Sequence, residues 1–498
     1  MRPFCLVPAA MGALLLVASA AALGEPAATL ESSPMLTIDE AIRLALNNNP
    51  DIKVEAFAPQ IARANVLAAY GQFDPSLNFG RSYSRSFGYP AYPGPLAPTL
   101  AETDSYDLNL KGLLPTGLSY TIGGTATNVR GPYNNFTADY LTFGGVNLTQ
   151  PLLRGFGLDA NLVNLRVARA NRSISEWQYR QTLINTVTNV IVTYSELVLA
   201  HDELRIALRS RELAARLVTE DQQRLKAGQG TESDLVTDRA EVAKFEPEVI
   251  ETENGVRSTD NQLRQLLGEK SFPRDRPLLN VVAAPVPTVT VDPAGDYQEA
   301  LNHRPDYQQA RLGLAINRAN AAAARNSLLP QVNLVAGYGY NGLAGTFAAS
   351  REMVAQHDVP SSSIGLNFSI PIANAQARGQ ARAARLTQEQ SEAELRDLEA
   401  QIALSVANAA NQIEATHRRV LADQASYALA NQALAGEEKG HQLANISTQF
   451  VINAQENVEN AEENLAGDRY SEAQAVAAYN QQLGLTLLRN HITLSEDK

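Results

Sequence analysis

The 498-residue chain is written twice. "NNPDIK" at Asn48–Lys53 returns as "HRPDYQ" at His303–Gln308, and "FDPSLNF" at Phe73–Phe79 returns as "LLPQVNL" at Leu328–Leu334. Pro50 with Pro305, and Pro75 with Pro330, stand 255 residues apart. "VNLTQPLL" around Pro151 returns as "LNFSIPIA" around Pro371 at an offset of 220, and "KAGQGTESDLVTDRAEV" (Lys226–Val242) as "LANISTQFVINAQENVE" (Leu443–Glu459) at 217. The order is the same in both copies, so the fold must be two similar units. The fall from 255 to 220 leaves the first copy with 35 extra residues between its two prolines, read here as an inserted hairpin around "SYDLNLKGLLPTGLSYTIGG".

Each copy opens on a capping signature, Thr37 with Glu40 and Asp296 with Glu299, just inside a helical run. Each then passes through strands into a long helix, a turn and a further helix. This divides the chain into a first repeat over 36–270, a Pro-rich linker over 271–295, a second repeat over 296–490 and a tail over 491–498. Pro75, Pro151, Pro330 and Pro371 fall at the four switches between helix and strand, where a fixed φ and a missing N–H are tolerated.

The strands alternate with period two. Tyr106, Leu108 and Leu110 oppose Ser105, Asp107, Asn109 and Lys111, while Ile364, Leu366, Phe368 and Ile370 oppose Ser363, Gly365, Asn367 and Ser369. Such a face either packs on a soluble core or meets lipid around a polar lumen. Beside the strands runs a seven-residue seam, Leu235, Val242, Val249, Val256 and Leu263, with Asp238, Phe245, Thr252, Thr259 and Leu266 three further on. Ile184, Val187, Ile191, Tyr194 and Val198 give the facing helix in 3-4 steps. An unbroken helix from Leu158 to Ala227 would reach about 100 Å at 1.5 Å per residue, far more than a globular domain needs.

The N-terminus reads as an export signal over residues 1–24, with Arg2 before an apolar, small-residue run and Ala18-Ser19-Ala20 or Ala20-Ala21-Ala22 as the cleavage site. Cys5, the single cysteine, precedes that run, so it is poorly placed as a lipid acceptor and would leave with the leader. No later stretch has eighteen or more consecutive apolar residues, which leaves a β-barrel as the only spanning architecture open. The net charge of −12 and the lack of a basic stripe exclude nucleic acid as a partner.

Two nucleotide-like motifs fail on context. Gly155, Gly157 and Ala160 spell G-x-G-x-x-A, but the preceding strand alternates and the following helix is far too long for a βαβ crossover. "GYGYNG" at Gly337–Gly342 lies within a strand, where its glycines remove bulk from one face. The six histidines have no partners at metal-ligand spacing and no hydrolase motif is present, so neither an enzyme, a cofactor nor a metal site is expected.

"LTIDEAIRLALNNNPDIK", "VNLTQPLLRGFG" and "RLKAGQGTESDLVTDRAEV", each echoed in the second copy, resemble the outer-membrane efflux protein (TolC) family over essentially the whole mature chain. The resemblance implies an α+β membrane fold. Long antiparallel coiled-coil helices form a periplasmic α-barrel, and four strands per subunit enter one trimeric transmembrane β-barrel. It further implies a homotrimer held in outer-membrane lipid that docks onto a periplasmic adaptor protein and an inner-membrane efflux or secretion transporter, serving as their passive, gated exit duct.

The family's coiled-coil turns, where the adaptor docks and the entrance closes, map to Gly228, Thr231, Asp234, Leu235 and Asp238 in the first copy and to Asn445, Thr448 and Ile452 in the second. The second turn carries Val451 and Ala454 where better-known members carry acids, so an acidic ring would have to come from Asp234 and Asp238. The 35-residue insertion either adds two strands per subunit or forms an exposed appendage. The alternative to a channel is a periplasmic coiled-coil scaffold or adaptor with no pore.

Overall fold

The computed structural model describes residues 35–88, 99–228, 230–273, 276–287, 289–442 and 447–493. The export signal, Asn445 and the last residues of the tail lie outside these. The first copy holds α1 (Ile38–Asn48), α2 (Pro50–Glu55), α3 (Phe57–Tyr70), β1 (Ser76–Gly88), β2 (Thr99–Leu113), β3 (Ser119–Arg130), β4 (Asp139–Pro151), α4 (Leu158–Asn161), α5 (Val163–Lys226) and α6 (Glu232–Leu266). The second holds α7 (Pro293–His303), α8 (Pro305–Asn326), β5 (Gln331–Ala344), α9 (Phe347–Gln356), β6 (Val359–Ser369), α10 (Ala375–Gln442), α11 (Thr448–Gln482) and α12 (Thr486–Arg489).

The long helix differs from the sequence reading in one respect. It is interrupted at Leu162, whose ψ of 6° departs from helix, and only the 64 residues of α5 run unbroken. The second helix start differs too. Thr37 caps α1 as expected, its hydroxyl accepting the Glu40 N–H. α7, however, begins at Pro293, so Asp296 sits inside the first turn and its carboxylate accepts the Asp292 N–H at 2.9 Å. Proline at the first helical position needs no N–H there, which lets the helix start early.

The helical seam is where the sequence puts it. Leu235, Asp238, Phe245, Val249, Val256, Thr259 and Leu263 of α6 are buried and Val242, Thr252 and Leu266 half-buried, and Val256, Leu263 and Leu266 pack in one cluster with Ile184, Val187 and Tyr194 of α5. Tyr194 also fastens the Pro-rich linker to this hairpin. Its hydroxyl donates to the Leu36 carbonyl at 2.8 Å and accepts the Val282 N–H at 3.1 Å.

The six strands form one antiparallel sheet in the order β1-β2-β3-β4-β5-β6. The insertion therefore lies in the middle of the sheet as β2 and β3, between the strands that correspond to β5 and β6 of the second copy. Register across all five pairings puts one face in line: Phe79 meets Leu108, Leu110 meets Ile122, Ile122 meets Val146, Leu148 meets Ala336, and Leu334 meets Leu366. Among the described residues, α9 alone crosses this face, over β4 and β5, and the rest is uncovered. Leu77 and Phe79 are 72% and 73% exposed and Ile364 is 81% exposed, and Ala126 is the one buried apolar strand side chain among the described residues. A sandwich would bury these residues, and among the described residues no second sheet lies over them.

The opposite face carries Ser, Thr, Asn and Gly. Gly337 and Gly339 of the "GYGYNG" stretch lie on it, and a Cβ at Gly339 would stand 2.7 Å from the Phe143 ring, so these glycines do clear space on one strand face. Across the apolar face, towards the β5–β6 end of the strands, lies α9. Ser350 is fully buried there, its hydroxyl 2.8 Å from the Gly342 carbonyl and 2.7 Å from the Thr142 hydroxyl.

Candidate functional site

All four chosen prolines stand at helix–strand corners: Pro75 precedes β1, Pro151 ends β4, Pro330 precedes β5 and Pro371 follows β6. The corner after Pro151 explains its glycines. Gly155 and Gly157 have φ of 83° and 88°, a conformation that side chains with a Cβ resist. The amide of Asn161 donates to both of their carbonyls at 2.8 Å, and the Gly157 N–H reaches the Thr116 carbonyl at 3.1 Å. The nucleotide-like spelling is thus a strand-to-helix corner on which the β2–β3 turn is seated.

From that corner α5 runs 64 residues, roughly 95 Å at 1.5 Å per residue, to the first hairpin tip. Gly228 ends it with φ of 75°. Thr231 then caps α6: its hydroxyl accepts the Asp234 N–H at 3.2 Å, and the Asp234 carboxylate accepts the Thr231 N–H in return. Asp234 is thereby committed to the helix start. Leu235 and Asp238 turn inward, at 7% and 1% exposure. In the second tip Thr448 and Ile452 are also buried, and Ile452 lies beside Val451, which packs with Ala454 and Val458 in the apolar cluster closing α10 on α11.

Between the two tips is a buried polar cluster drawing on all four long helices. Thr448 of α11 donates its hydroxyl to Asp221 of α5 at 2.6 Å, and His441 of α10 lies 3.3 Å from the same hydroxyl and 3.6 Å from the Asp221 carboxylate. Arg224 of α5 bonds the His441 ring and stands 3.6 Å from Asp221. Asp238 of α6 completes it. Both Asp238 oxygens and one of Asp221 are buried with no hydrogen-bond partner among the described residues. Burial, and then the Asp221 charge, push the Asp238 carboxyl up to about 7. Burial therefore favours the neutral form of Asp238.

Of the residues singled out in the sequence, Asp238 and Thr448 meet in this cluster. Thr231 and Asp234 make the neighbouring cap, Leu235 and Ile452 pack beneath, and Asn445 is outside the described residues. Asp221 and His441 were missed. The signal for Asp221 was available, because it follows Ala214 and Leu217 at 3-4 spacing on the buried stripe of α5, where a carboxylate is out of place.

A second acidic group lies farther along α6 and α11. Glu248, Glu459 and Glu463 bring carboxylate oxygens within 4.8 Å of one another, and burial pushes Glu459 up to about 7.

The profile of the outer membrane efflux protein family matches residues 100–269 and 297–485, one segment in each repeat. The chain belongs to the outer membrane efflux protein family. The probable outer membrane lipoprotein SilC of Salmonella typhimurium is 25% identical over 60% of this chain, a match that spans about half (54%) of that relative's length. The outer membrane protein TolC of Salmonella enteritidis is 22% identical over 72% of this chain and 71% of its own. Among solved structures, the outer-membrane channel OprN superposes with a TM-score of 0.66 at 18% identity, covering 90% of this chain and 89% of that one. As an outer membrane efflux protein the chain is not an enzyme, and its long helical hairpins with attached strands have the subunit fold of TolC-like channels.

Proposed function

We propose that this efflux protein is the passive, gated exit duct of a tripartite efflux pump or a type I secretion system. Three copies close their sheets into one barrel in outer-membrane lipid and bundle their long helices into a periplasmic tube. The observation that carries this reading is the apolar face that runs across six strands, exposed except where α9 crosses β4 and β5, opposed by a face mainly of Ser, Thr, Asn and Gly. In lipid such a face is matched, whereas a water-soluble scaffold would leave it wet.

The hairpin tips are the entrance and the surface that meets a periplasmic adaptor and, through it, an inner-membrane transporter that supplies the energy. Thr231 and Asp234 sit at the first tip, with Gly228 beside them and Leu235 as apolar backing. The buried set of Asp238, Asp221, Thr448 and His441, supported by Ile452, holds the two hairpins of a subunit together and so sets how far the entrance can open. Export by a cleavable signal over residues 1–24, without a lipid anchor, completes the reading.

The test is fractionation and imaging. The protein should require detergent, run as a trimer and conduct ions in a planar bilayer. A monomer that stays soluble without detergent would overturn the reading.

A further inference from the structure

The two outermost strands of the sheet are unfinished. β1 offers 13 residues and β6 offers 11, and each is paired on one side alone. Soluble proteins defend such edges with outward charges or bulges. Apart from Pro360 near the start of β6, these edges are undefended. β6 has no charged residue at all, and the two arginines of β1 are turned onto β2, where Arg81 meets Asp104 at 3.1 Å and Arg85 meets Glu102 at 3.6 Å. In lipid an open edge leaves backbone N–H and C=O groups without partners, so the sheet has to close. Six strands are too few to close alone, since spanning barrels begin at eight. Because each strand is antiparallel to the next, β1 and β6 run in opposite directions, and β1 of one copy can continue β6 of another around a ring.

We infer that the edge-to-edge partner is a second copy of this chain, and that the ring of three copies has eighteen strands, rather than the twelve implied by four strands per subunit. This rests on the trimeric channel proposed above. The insertion cannot be left out of the wall. β2 and β3 stand between β1 and β4, laddered over thirteen residue pairs on one side and eleven on the other, so removing them from the ring would take β1 with them. The hairpin has no helix of its own below it. Its turn is instead seated on the corner after Pro151, where Thr116 meets Gly157 and the Gln150 amide at 3.1 Å and 3.3 Å.

A barrel's diameter grows roughly in proportion to its strands, so the exit has about twice the cross-section of a twelve-stranded one, wide enough to hold water throughout. Its lumen face carries few charges: β1 contributes Ser82 and Ser84, β3 Thr125 and Thr127, and β6 Ser361 and Ser363. Such a lining passes bulky solutes with little regard to their charge.

Image reconstruction of the detergent-solubilised full chain counts the strands directly. Eighteen are expected in a trimer. Cysteine pairs test the edges independently, with Ser82→Cys in β1 combined in turn with Ser361→Cys, Ser363→Cys or Gly365→Cys in β6. At least one combination should yield a covalent trimer on oxidation. A trimer with twelve strands, or one in which Thr125→Cys of β3 links to β6 in place of Ser82→Cys, would overturn the eighteen-stranded ring while leaving the channel reading intact. A monomer would overturn both.

Discussion

The Thr448 hydroxyl donates to the Asp221 carboxylate across 2.6 Å, and this bond ties the second helical hairpin to the first at the tips. The Arg224–Asp221 and His441–Asp221 pairs, each at 3.6 Å, surround it, and every member except Arg224 is buried. Replacing Thr448 with Val keeps the shape and removes the donor, leaving a buried carboxylate oxygen unpaired at a cost of about 1–3 kcal/mol. The expected result is faster amide exchange confined to the tip residues of α5, α6, α10 and α11, with the sheet unaffected. Exchange unchanged at the tips would show that the bond does not hold the hairpins.

The same cluster gives the tips a pH dependence of defined sign. The Asp238 carboxyl is raised in the folded chain to about 7, above its unfolded value near the ordinary 3.8. The folded state therefore binds more protons between those values, and tip stability is full below about pH 4 and falls as pH rises through 7. The charged groups acting on Asp238 are Asp221 from α5 and Asp234 from its own helix, and Asp221 is in turn faced by Arg224 of α5, His441 of α10 and Thr448 of α11. Asp238→Asn should keep the tips closed at pH 8 and flatten the profile, read as tip exchange rates between pH 5 and pH 8. An Asp238→Asn profile as steep as the parent's would assign the dependence to another group.

On the sheet, the two faces should tolerate charge unequally. Leu366 lies on the uncovered apolar face and Asn367 on the polar one. Leu366→Lys should cost about 2–4 kcal/mol if its level is near the bilayer centre, and reduce the assembled protein recovered from membranes. Asn367→Lys should assemble normally. Equal recovery of the two variants would contradict the assignment of faces.

Gly342 is the seat of α9. A Cβ there would fall 2.0 Å from the Ser350 carbonyl oxygen, which no side-chain rotation relieves. Gly342→Val should therefore lift α9 from β4 and β5 while leaving the six-stranded sheet in place. Protease cleavage within α9, with the sheet core resistant, is the expected readout. An α9 as resistant as in the parent would show that the helix is not held by this contact.

Much of this molecule was legible in the sequence because long periodic elements announce themselves. The seam from Leu235 to Leu263 and the alternation from Ile364 to Ile370 each repeat one choice many times, and local chemistry decides them. The corners were legible as well, since Pro75, Pro151, Pro330 and Pro371 mark positions a continuing helix or central strand would refuse. The tip was read only in part. Asp238 was visible as an acid in an apolar seam, but its partners Asp221 and His441 lie 17 and 203 residues away along the chain, on other helices.

The sequence alone determined that two similar units would each pair strands with helices far longer than a globular core can use. Those properties depend on neighbours a few residues apart. It left open whether the 35-residue insertion joins the wall or hangs from it, because strand order depends on which backbone groups meet across the sheet. Tertiary structure decided that, by setting β2 and β3 between β1 and β4. It also decided that the carboxylates of Asp221 and Asp238 share one dry pocket, since the cost of burying charge arises only once helices from both copies have closed over it.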